Sequence, residues 1–548
     1  MNHSYYALSV LATMLPIHTL SATDVSKEKV SLRDARPNVI FIYGDDLGKG
    51  MISAYGQKMF KTPNIDRVIN QGIDFNNAYG CHYSAPSRAS LLTGYSDCHL
   101  GHWLRSKGQL YMEADTTYVS LIESEQDKDK CVLPQGDDYL ADIFNRAGYF
   151  TGEIGKLDYG FGGTRSQMKD HGWDHYYGYL DHHRCHGYYP PFLFTDGRIE
   201  MIPGNTLGDC GVERYLFDAD KSDSIQYYRR RWNMEGKVHY SQDIFDKKII
   251  EFLRQHKDEP FFLYHPSQLP HGPVAVPELD PQVKDNPNLT DLEKEYASMV
   301  IRLDNTVGKI LNELKRLKID KKTIVIFSAD NGHMMYYAHK GSSSFKKDVK
   351  SHKVFNNADV RYTSTNAGDI FRGSLDWSGF KRSNLEGGIH VPLAFYWPEH
   401  FTHRQENNIV ANYDFLSTMA DLLGVSVTAQ KDGISYLPLL EQNGQQLPAN
   451  RYILLDSFEG PTMIMNDGWK LRYDYITKGY ELYYLHDDIK EENDLASQYP
   501  EKVKTMRRIM DGEATYSECR KHGYPYGIYK MQKKLNAQKI IAKAKGKN

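Results

Sequence analysis

Four short apolar runs along the chain have the pattern of β-strands that are buried on both faces. They are rich in β-branched and aromatic residues and lack alternating polar positions, which is typical of a parallel sheet. The runs are Asn38–Tyr43, Pro260–Tyr264, Thr323–Phe327 and Val391–Trp397. Pro392 weakens the last prediction, because proline lacks the N–H group that a central strand donates.

Apolar residues at helical spacing lie between these runs. One helix is predicted directly before Thr323, and a second covers Asp138–Ala147 and ends at Gly148. Strands that alternate with helices indicate an α/β sheet. The apolar positions of the first helix are Met299, Val300, Leu303, Val307, Ile310, Leu311 and Leu314.

The pattern changes after Gln442–Pro448, a polar segment rich in residues that end regular structure. Short apolar runs separated by turns follow it and predict a small antiparallel sheet. They are Tyr452–Leu455, Thr462–Met465, Trp469–Tyr473 and Glu481–Leu485. We therefore predict a main domain over residues 35–440, an α+β subdomain over 450–515 and a Lys-rich tail over 516–548, which frays or forms an exposed helix.

Residues 1–22 have the character of an export signal. The apolar stretch Tyr5–Leu20 is too short to span a bilayer, although no Lys or Arg precedes it. A disordered apolar tail is the alternative. No later apolar run is long enough for a membrane helix, so we expect a periplasmic or secreted protein without a stable membrane span.

Composition adds two exclusions. The 548 residues carry a net charge of -3, whereas a dedicated nucleic-acid binder is usually basic. The six cysteines allow disulfides, but their pairing does not follow from the sequence, and the lack of a CxxC motif argues against structural zinc.

Acidic residues follow two of the predicted strands. Asp45 and Asp46 come after the first strand, and Asp330 and Asn331 follow the Thr323 strand. Ligands of α/β sheets bind at the carboxyl ends of strands. An all-oxygen set suits a hard cation, Ca²⁺ or Mg²⁺, better than zinc. Taken singly, either acidic pair is equally compatible with an ordinary turn.

Ser84 precedes a predicted helix that has Pro86 in its first turn and ends at Gly94. The free N–H groups and the dipole of a helix N-terminus favour an anionic group there. Arg88 lies one turn further on and can point back toward the same place. A helix cap with a surface arginine is the simpler interpretation of this segment alone.

The segment Ser84-Ala-Pro-Ser-Arg88, followed by Leu91-Leu-Thr-Gly94, resembles the signature of the type I sulfatases. The resemblance runs from Pro37 to about Leu495 through several spaced motifs in order. The further motifs are Gly44-Asp-Asp46, Lys61–Asp66, Gly155-Lys156, Pro270-His271, Asp330-Asn-Gly332, Lys381 before Glu386-Gly-Gly388, and Glu481–Leu485 with Asn493.

The resemblance implies an alkaline-phosphatase-like α/β fold, with a central mixed sheet flanked by helices and a smaller C-terminal antiparallel sheet. It also implies a sulfuric ester hydrolase whose serine is oxidised to formylglycine (3-oxoalanine) by an anaerobic sulfatase-maturating enzyme. One Ca²⁺ ion would be held by Asp45, Asp46, Ser84, Asp330 and Asn331. The catalytic residues implied are Ser84, Arg88, Lys156, His271 and Lys381, with His271 as proton donor to the leaving oxygen.

One position departs from the family pattern. Most relatives have Trp-His after Gly-Lys, and that histidine serves the step that expels sulfate, whereas this chain has Leu157-Asp158. A carboxylate can also accept the proton, so Asp158 is the first candidate. His182, His183 and His186 are alternative sources of an imidazole, or else contact the sugar.

Two polar stretches extend beyond a minimal core, and the lysines of the second, together with the predicted export, favour a carbohydrate sulfate as the substrate, although a solvated loop explains that stretch equally well. Trp103–Lys130 is acidic and contains tyrosines, and His333–Phe380 is long and rich in lysine. The second stretch links the predicted metal ligands to Lys381 and is expected to border the pocket. A galactose or N-acetylgalactosamine sulfate is one interpretation.

Two other functions compete with this prediction. One is a phosphate or phosphonate ester hydrolase of the same fold, which would usually need more metal ligands, histidines among them. The other is a glycan-binding relative in which Ser84 stays unconverted. The set of Arg88, Lys156, His271 and Lys381 argues against the second function, and Asp158 is the feature in its favour.

Overall fold

The structure is a computed structural model, and it describes most of the predicted main domain and C-terminal sheet. The described residues are 32–99, 120, 137–158, 165–182, 184–211, 229–337, 361–441, 446–457, 459–474 and 478–512. The predicted signal segment, the Lys-rich tail and His183 lie outside these ranges. So do nearly all of Trp103–Lys130 and the lysines of residues 338–360.

A sheet of ten strands forms the centre of the molecule. Its strands are β1 (Asn38–Gly44), β2 (Ile73–Phe75), β4 (Phe150–Lys156), β5 (His175–Tyr179), β6 (Phe192–Thr195), β7 (Arg198–Met201), β8 (Phe261–Pro266), β9 (Thr323–Ala329), β11 (Leu393–Tyr396) and β12 (Arg404–Glu406). They lie in the order β12-β2-β11-β9-β1-β8-β4-β5-β6-β7. The prediction of an α/β fold with a mixed central sheet is confirmed.

The five strands β9-β1-β8-β4-β5 run parallel, and the outer strands make it a mixed sheet. In the centre, Val39 of β1 lies opposite Phe262 of β8 and Ile324 of β9. All seven residues of β1 and of β9 are buried. This burial explains why both runs are continuously apolar rather than alternating.

Thirteen described α-helices accompany the strands. They are α1 (Leu32–Ala35), α2 (Pro63–Asn70), α3 (Ser84–Thr93), α4 (Leu140–Arg146), α5 (Arg165–Asp170), α6 (Ser241–Gln255), α7 (Pro281–Lys284), α8 (Asp291–Leu317), α9 (Ser364–Ala367), α10 (Glu386–Ile389), α11 (Asp414–Leu423), α12 (Leu437–Glu441) and α13 (Pro500–Gly512). Within the described part of the chain, no helix combines the length and apolar character needed to cross a membrane.

Helices cover both faces of the central sheet. Phe144 of α4 stacks on Phe262 with ring centroids 4.0 Å apart, and Phe252 of α6 packs edge-on against Phe261 at 5.6 Å. Adjacent residues of a strand point to opposite faces, so α4 and α6 lie on opposite sides of β8. Helix α8 packs with α6 and α2, and α11 packs with α4 and α3.

The predicted strand Val391–Trp397 is divided between two sheets. Residues His390–Val391 form β10, which joins β3 (Ala78–Tyr79) and β13 (Val410–Ala411) in a three-stranded sheet. Strand β11 begins at Leu393 and pairs antiparallel with β9. The prediction of one continuous strand was therefore wrong, and the break falls at Pro392, which cannot continue the ladder of hydrogen bonds.

The C-terminal sheet matches the runs predicted from the sequence. Strands β14 (Tyr452–Leu455), β15 (Thr462–Met465), β16 (Trp469–Tyr473) and β17 (Tyr480–Tyr484) form an antiparallel meander. Helix α13 packs on it through the buried residues Met506 and Met510. The position of the domain boundaries stays a prediction.

Candidate active site

Four adjacent strands bring the predicted site residues to one edge of the main sheet. Strand β1 ends just before Asp45, β9 just before Asp330, and β4 ends at Lys156. His271 follows β8 in the same way, five residues after Pro266. Parallel strands end at the same edge, which is why residues far apart in the sequence meet here.

Ser84 is the first residue of α3, rather than the residue before the helix as the sequence predicted. All ten residues of α3 are buried, and the Oγ of Ser87 lies 3.0 Å from the hydroxyl of Tyr43 on β1. The helix ends at Gly94, whose φ of 74° is readily adopted by glycine. The N-terminus of α3 is thus fixed against the carboxyl ends of the strands and favours negative charge there.

The Oγ of Ser84 lies between two carboxylates and two cations. It is 2.9 Å from Asp45 Oδ1 and 2.5 Å from Asp330 Oδ2. The Lys156 ammonium donates to it at 2.9 Å, and Arg88 Nε donates at 3.2 Å. A serine hydroxyl has one proton, so it can donate to only one of the carboxylates at a time.

The same cations pair with the carboxylates. Lys156 Nζ lies 2.6 Å from Asp45 Oδ2, and Arg88 Nη2 lies 3.1 Å from Asp330 Oδ2. Burial raises the pKa of Asp45, but the charges of Lys156, His271 and Arg88 outweigh it and hold that pKa well below its usual range. Burial and the neighbouring Asp45 raise the pKa of Asp330 to about 7.

The oxygen atoms at this edge fit a hard cation. The Oδ1 of Asn331 is buried and has no hydrogen-bond partner within the described structure. Asp46 Oδ1 lies 2.8 Å from Asn331 Nδ2, and the Asp46 N–H donates to Asp330 Oδ1 at 2.9 Å. A cation would offset the repulsion among the carboxylates and use the vacant amide oxygen.

A second set of residues is also close enough together to bind a metal ion. Atoms of Asp45, Asp46 and His271 all lie within 4.8 Å of one another. We favour the set with Asp330 and Asn331, because it contains only oxygen ligands and surrounds Ser84. In that set, His271 is left to face the substrate.

Lys381 and His271 lie on the other side of Asp46. The Lys381 ammonium is 2.6 Å from Asp46 Oδ2 and donates to His271 Nε2 at 3.2 Å. The His271 Nδ1–H group donates to the Gly272 carbonyl at 2.5 Å, which leaves Nε2 as the acceptor in the neutral ring. The imidazole of His186 stacks on His271 with centroids 4.0 Å apart.

Burial and the positive charge of Lys381 lower the pKa of His271 to about 4. The imidazole is therefore neutral when the site holds no substrate. An anionic sulfate group placed against it would raise this pKa, because a nearby negative charge favours the protonated ring. Substrate binding itself would then prepare His271 to donate a proton.

Asp158 has no hydrogen bond to Ser84 or Lys156 in the described structure. Its Oδ2 lies 2.9 Å from His171 Nδ1, and its backbone N–H donates to Glu153 Oε1 at 2.8 Å. The backbone φ of Asp158 is 56°, a conformation that turns the chain sharply after β4. The carboxylate is thus paired away from the nucleophile, and its catalytic role stays a prediction.

His182 and His186 both lie next to the cluster. His182 Nε2 is 3.0 Å from the Leu157 carbonyl, to which it donates in the neutral ring. Burial lowers the pKa of His182 well below its usual range, and the charges of Lys156 and Arg88 lower it further. This tautomer carries its lone pair on Nδ1.

The sequence motifs do not mark Tyr336, Glu153 or His171, which also lie at or beside the site. The hydroxyl of Tyr336 donates to Asp46 Oδ2 and lies 3.0 Å from His271 Nε2. Tyr336 falls in the stretch that was expected to border the pocket, which was the one available signal. Glu153 is fully buried, and burial together with Asp158 raises its pKa well above the usual range.

Two family models match the chain. The sulfatase model matches residues 37–425, and the model of the C-terminal region of N-sulphoglucosamine sulphohydrolase matches residues 376–514. The first match covers most of the chain and contains every predicted catalytic and metal-binding residue. The second covers the C-terminal sheet and its helix.

Curated relatives and solved structures agree with these matches. An N-acetylgalactosamine-6-O-sulfatase of Bacteroides thetaiotaomicron is 25% identical over 88% of this chain and 93% of its own length. The human N-acetylgalactosamine-6-sulfatase is 25% identical over 74% of this chain and 66% of its own.

A solved structure from work on glycosaminoglycan metabolism by Bacteroides thetaiotaomicron shares the fold with a TM-score of 0.61. It has 23% identity over 87% of this chain and 98% of its own. A second structure, in complex with its substrate D-glucosamine-2-N,6-O-disulfate, has a TM-score of 0.56 and 19% identity. It covers 88% of this chain and 98% of its own.

Proposed function

The chain belongs to the sulfatase family, and from this premise we propose an exported carbohydrate sulfatase whose nucleophile is made by oxidising Ser84 to formylglycine. As a family member it is a sulfuric ester hydrolase. The observation that carries the proposal is the position of Ser84 Oγ, which lies within hydrogen-bond distance of two carboxylates and two cations. A helix-capping serine would need none of them.

Conversion of Ser84 explains this excess of charged neighbours. Hydrated formylglycine carries two hydroxyls on one carbon, one to attack sulfur and one whose later deprotonation expels sulfate. A serine at this position implies an oxygen-independent maturating enzyme as a partner. An unconverted serine would lack the second hydroxyl and could not complete the cycle.

Calcium is the proposed metal. Asp45, Asp46, Asp330 and Asn331, together with the group at position 84, would hold Ca²⁺ and supply it with oxygen ligands alone. The ion would act as a Lewis acid, which makes a bound hydroxyl more acidic and neutralises charge on sulfate oxygens.

Cationic side chains of the protein would surround the nucleophile and the sulfate group. Arg88 and Lys156 donate to the Oγ at position 84, so they would orient the nucleophile and stabilise its anion. Lys381 and His271 lie across Asp46 and would meet the sulfate group and the ester oxygen. His271 would then give its proton to the departing sugar oxygen.

Expulsion of sulfate needs a base, and the contacts favour His182 over Asp158. The hydrogen bond to Leu157 sets the tautomer of His182 that carries a lone pair on Nδ1. The carboxylate of Asp158 is instead paired with His171. Loss of the true base should allow a single burst of released alcohol and then no turnover. We therefore expect such a burst in His182→Ala and continued turnover in Asp158→Asn; the reverse pattern would restore Asp158 to the role.

The sugar is proposed from the relatives. Two of them are named for N-acetylgalactosamine 6-sulfate, and one neighbouring structure holds a sulfated glucosamine. We propose a sulfated amino sugar or galactose as the substrate, met outside the cytoplasm after export. Residues 1–22 would direct that export.

The test is expression of the full chain with an anaerobic maturating enzyme, followed by assay on defined sulfated mono- and disaccharides. N-acetylgalactosamine 6-sulfate heads the panel, and its 6-phosphate analogue is the matched control. Sulfate release from at least one sugar supports the proposal. Hydrolysis of the phosphate ester alone would favour a phosphatase, and binding without release would favour a glycan-binding relative.

A further inference from the structure

The hydroxyl of Tyr336 lies where three groups of the candidate site meet. It donates to Asp46 Oδ2, lies 3.0 Å from His271 Nε2 and is 3.4 Å from Lys381 Nζ. Nothing in the sequence motifs assigns a role to this residue. Its contacts join a predicted metal ligand to both groups proposed to meet the ester oxygen.

The ring of Tyr336 is held in place by Gly272. A Cβ atom added at Gly272 would lie 2.3 Å from Cδ1 and 2.6 Å from Cγ of Tyr336, so the ring packs directly on the glycine backbone. The Gly272 carbonyl also accepts the hydrogen bond from His271 Nδ1. One short segment therefore positions both the imidazole and the phenol.

His271 is consequently restrained on three sides. The Gly272 carbonyl binds Nδ1, the ring of His186 stacks on one face, and Tyr336 contacts Nε2. The single hydroxyl proton of Tyr336 goes to Asp46, so its oxygen can accept a hydrogen bond from the Lys381 ammonium, and one from His271 Nε2 when the imidazole carries the proton that it is to donate. At Nε2, the edge that faces the substrate, the ring is contacted by Tyr336 and by Lys381, and Tyr336 contacts both of these groups.

We propose that Tyr336 is a positioning residue, which holds His271 and Lys381 in the orientation needed to assist departure of the sugar oxygen. The inference rests on the proposed function, because it concerns the sugar oxygen that leaves when the sulfate ester bond is broken. Tyr336 acts through these side chains and is not itself assigned a bond-making step.

The leaving group distinguishes positioning from general damage to the site. A sugar alkoxide is a strong base and needs assistance to depart, whereas 4-nitrophenolate leaves with little help. Loss of the Tyr336 hydroxyl should therefore slow release of a sugar far more than release of the aryl alcohol. General damage to the nucleophile or the metal ligands would slow both reactions equally.

The experiment compares Tyr336→Phe with Tyr337→Phe in the full-length, converted enzyme with Ca²⁺. Tyr337 is the matched control, because its buried hydroxyl also contacts a carboxylate and an imidazole, Asp369 and His333, outside the site. For Tyr336→Phe we expect kcat on the sugar sulfate to fall roughly 10- to 100-fold with little change in KM. The activity of Tyr336→Phe on 4-nitrophenyl sulfate and that of Tyr337→Phe on both substrates should stay near wild type.

Gly272→Ala gives a second route to the same result, since its new methyl group would displace the Tyr336 ring. It should reproduce the selective loss. Equal losses on both substrates, a loss confined to KM, or no loss would overturn the inference; if the aryl ester is not turned over, kcat and KM on the sugar decide. A wild-type enzyme that is inactive on every sulfate ester would instead overturn the proposed function and the inference with it.

Discussion

Two clusters of buried charge among the described residues differ in what their charged groups contact. The catalytic cluster contains three carboxylates and three cations: Asp45, Asp46, Asp330, Arg88, Lys156 and Lys381. The second cluster, here called the interface cluster, consists of Glu386, Lys470 and Glu491 and joins the main domain to the C-terminal sheet.

In the interface cluster, the charged groups bind one another. Lys470 Nζ lies 2.9 Å from Glu386 and 2.8 Å from Glu491, and the Glu386 N–H donates to Glu491 Oε2 at 2.7 Å. His390 and Tyr79 contact the remaining oxygen of Glu386. In the catalytic cluster, four of the six groups instead converge on Ser84 Oγ, and Arg88 Nη1 and the adjacent Asn331 Oδ1 have no partner in the described structure.

Shifted pKa values occur in both clusters and in both directions. In the interface cluster, burial raises the pKa of Glu386, but Lys470 and His390 outweigh it and lower that pKa to about 2, whereas burial raises the pKa of Glu491. In the catalytic cluster, burial and Asp45 raise the pKa of Asp330 to about 7. Buried charge alone therefore does not identify a functional site. A functional site also has polar atoms without protein partners, which can bind an incoming ion or substrate.

Ser84→Ala should have the largest effect on the catalytic cluster. Loss of the nucleophile should lower kcat by a factor on the order of 10⁶, as removal of a catalytic serine does in other hydrolases. The free energy of unfolding should change little, because no neighbouring carboxylate loses its cation. Steady-state assays and thermal unfolding of the same preparation check both statements.

Retention of activity in Ser84→Ala would exclude formylglycine catalysis. Ser90→Ala is the matched control on the same helix, since the Ser90 hydroxyl contacts Cys81 Sγ rather than a residue of the catalytic cluster. Its activity should remain close to that of the wild type.

Lys470→Met, in the interface cluster, should lower stability and leave activity unchanged, which is the opposite of Ser84→Ala. Two buried glutamates would lose their common cation, which should lower the free energy of unfolding by about 3–5 kcal/mol. The kcat of the folded enzyme should be unchanged. Denaturant unfolding measures the free energy of unfolding, and assays at denaturant concentrations below the unfolding transition measure kcat.

Lys321→Met is the control for Lys470→Met. Lys321 pairs with Glu399 at the surface, where solvent screens the pair, so its loss should change the free energy of unfolding far less. A Lys470→Met protein as stable as this control would show that the interface cluster does not hold the two parts together.

The sequence predicted the ends of the strands well, because each functional residue follows a continuous apolar run. Asp45 and Asp330 are examples, and the position of Ser84 at the start of α3 was predicted to within one residue. The four strands of the C-terminal sheet were found for the same reason, since turn residues separate their apolar runs.

Contacts across the fold could not be predicted in this way. Tyr336 and Asp46 are 290 residues apart, and tyrosine is common in this chain. Asp158 and His171 are close in sequence, but their pairing depends on how the chain turns after β4. Val391–Trp397 was divided between two sheets, because tertiary pairing at Pro392 overrode an apolar pattern.

Calcium should stabilise the catalytic cluster only. At a concentration 100 times its Kd, Ca²⁺ should raise the free energy of unfolding by about 2.7 kcal/mol. Asp330→Asn should reduce this gain, whereas Glu386→Gln should keep it. Thermal unfolding with Ca²⁺ and with a chelator measures it; an equal loss of the gain in both variants would place the ion elsewhere.

The pH dependence of the metal-free protein should give the most gradual effect, because it is spread over several pH units. Because folding raises the pKa of Asp330 to about 7, its contribution to stability is full below the unfolded pKa and is lost as the pH rises toward 7. Asp330→Asn lacks this loss, so its stability relative to wild type should rise by about 1.4 kcal/mol per pH unit within that window. A constant difference between the two proteins would contradict the assigned pKa.

The mass of the peptide that contains Ser84 tests the central claim most directly. We predict that protein made with an anaerobic maturating enzyme loses two hydrogens at Ser84, and that sulfate release rises in proportion to the converted fraction. Full sulfatase activity from protein in which Ser84 remains an unmodified serine would contradict the account.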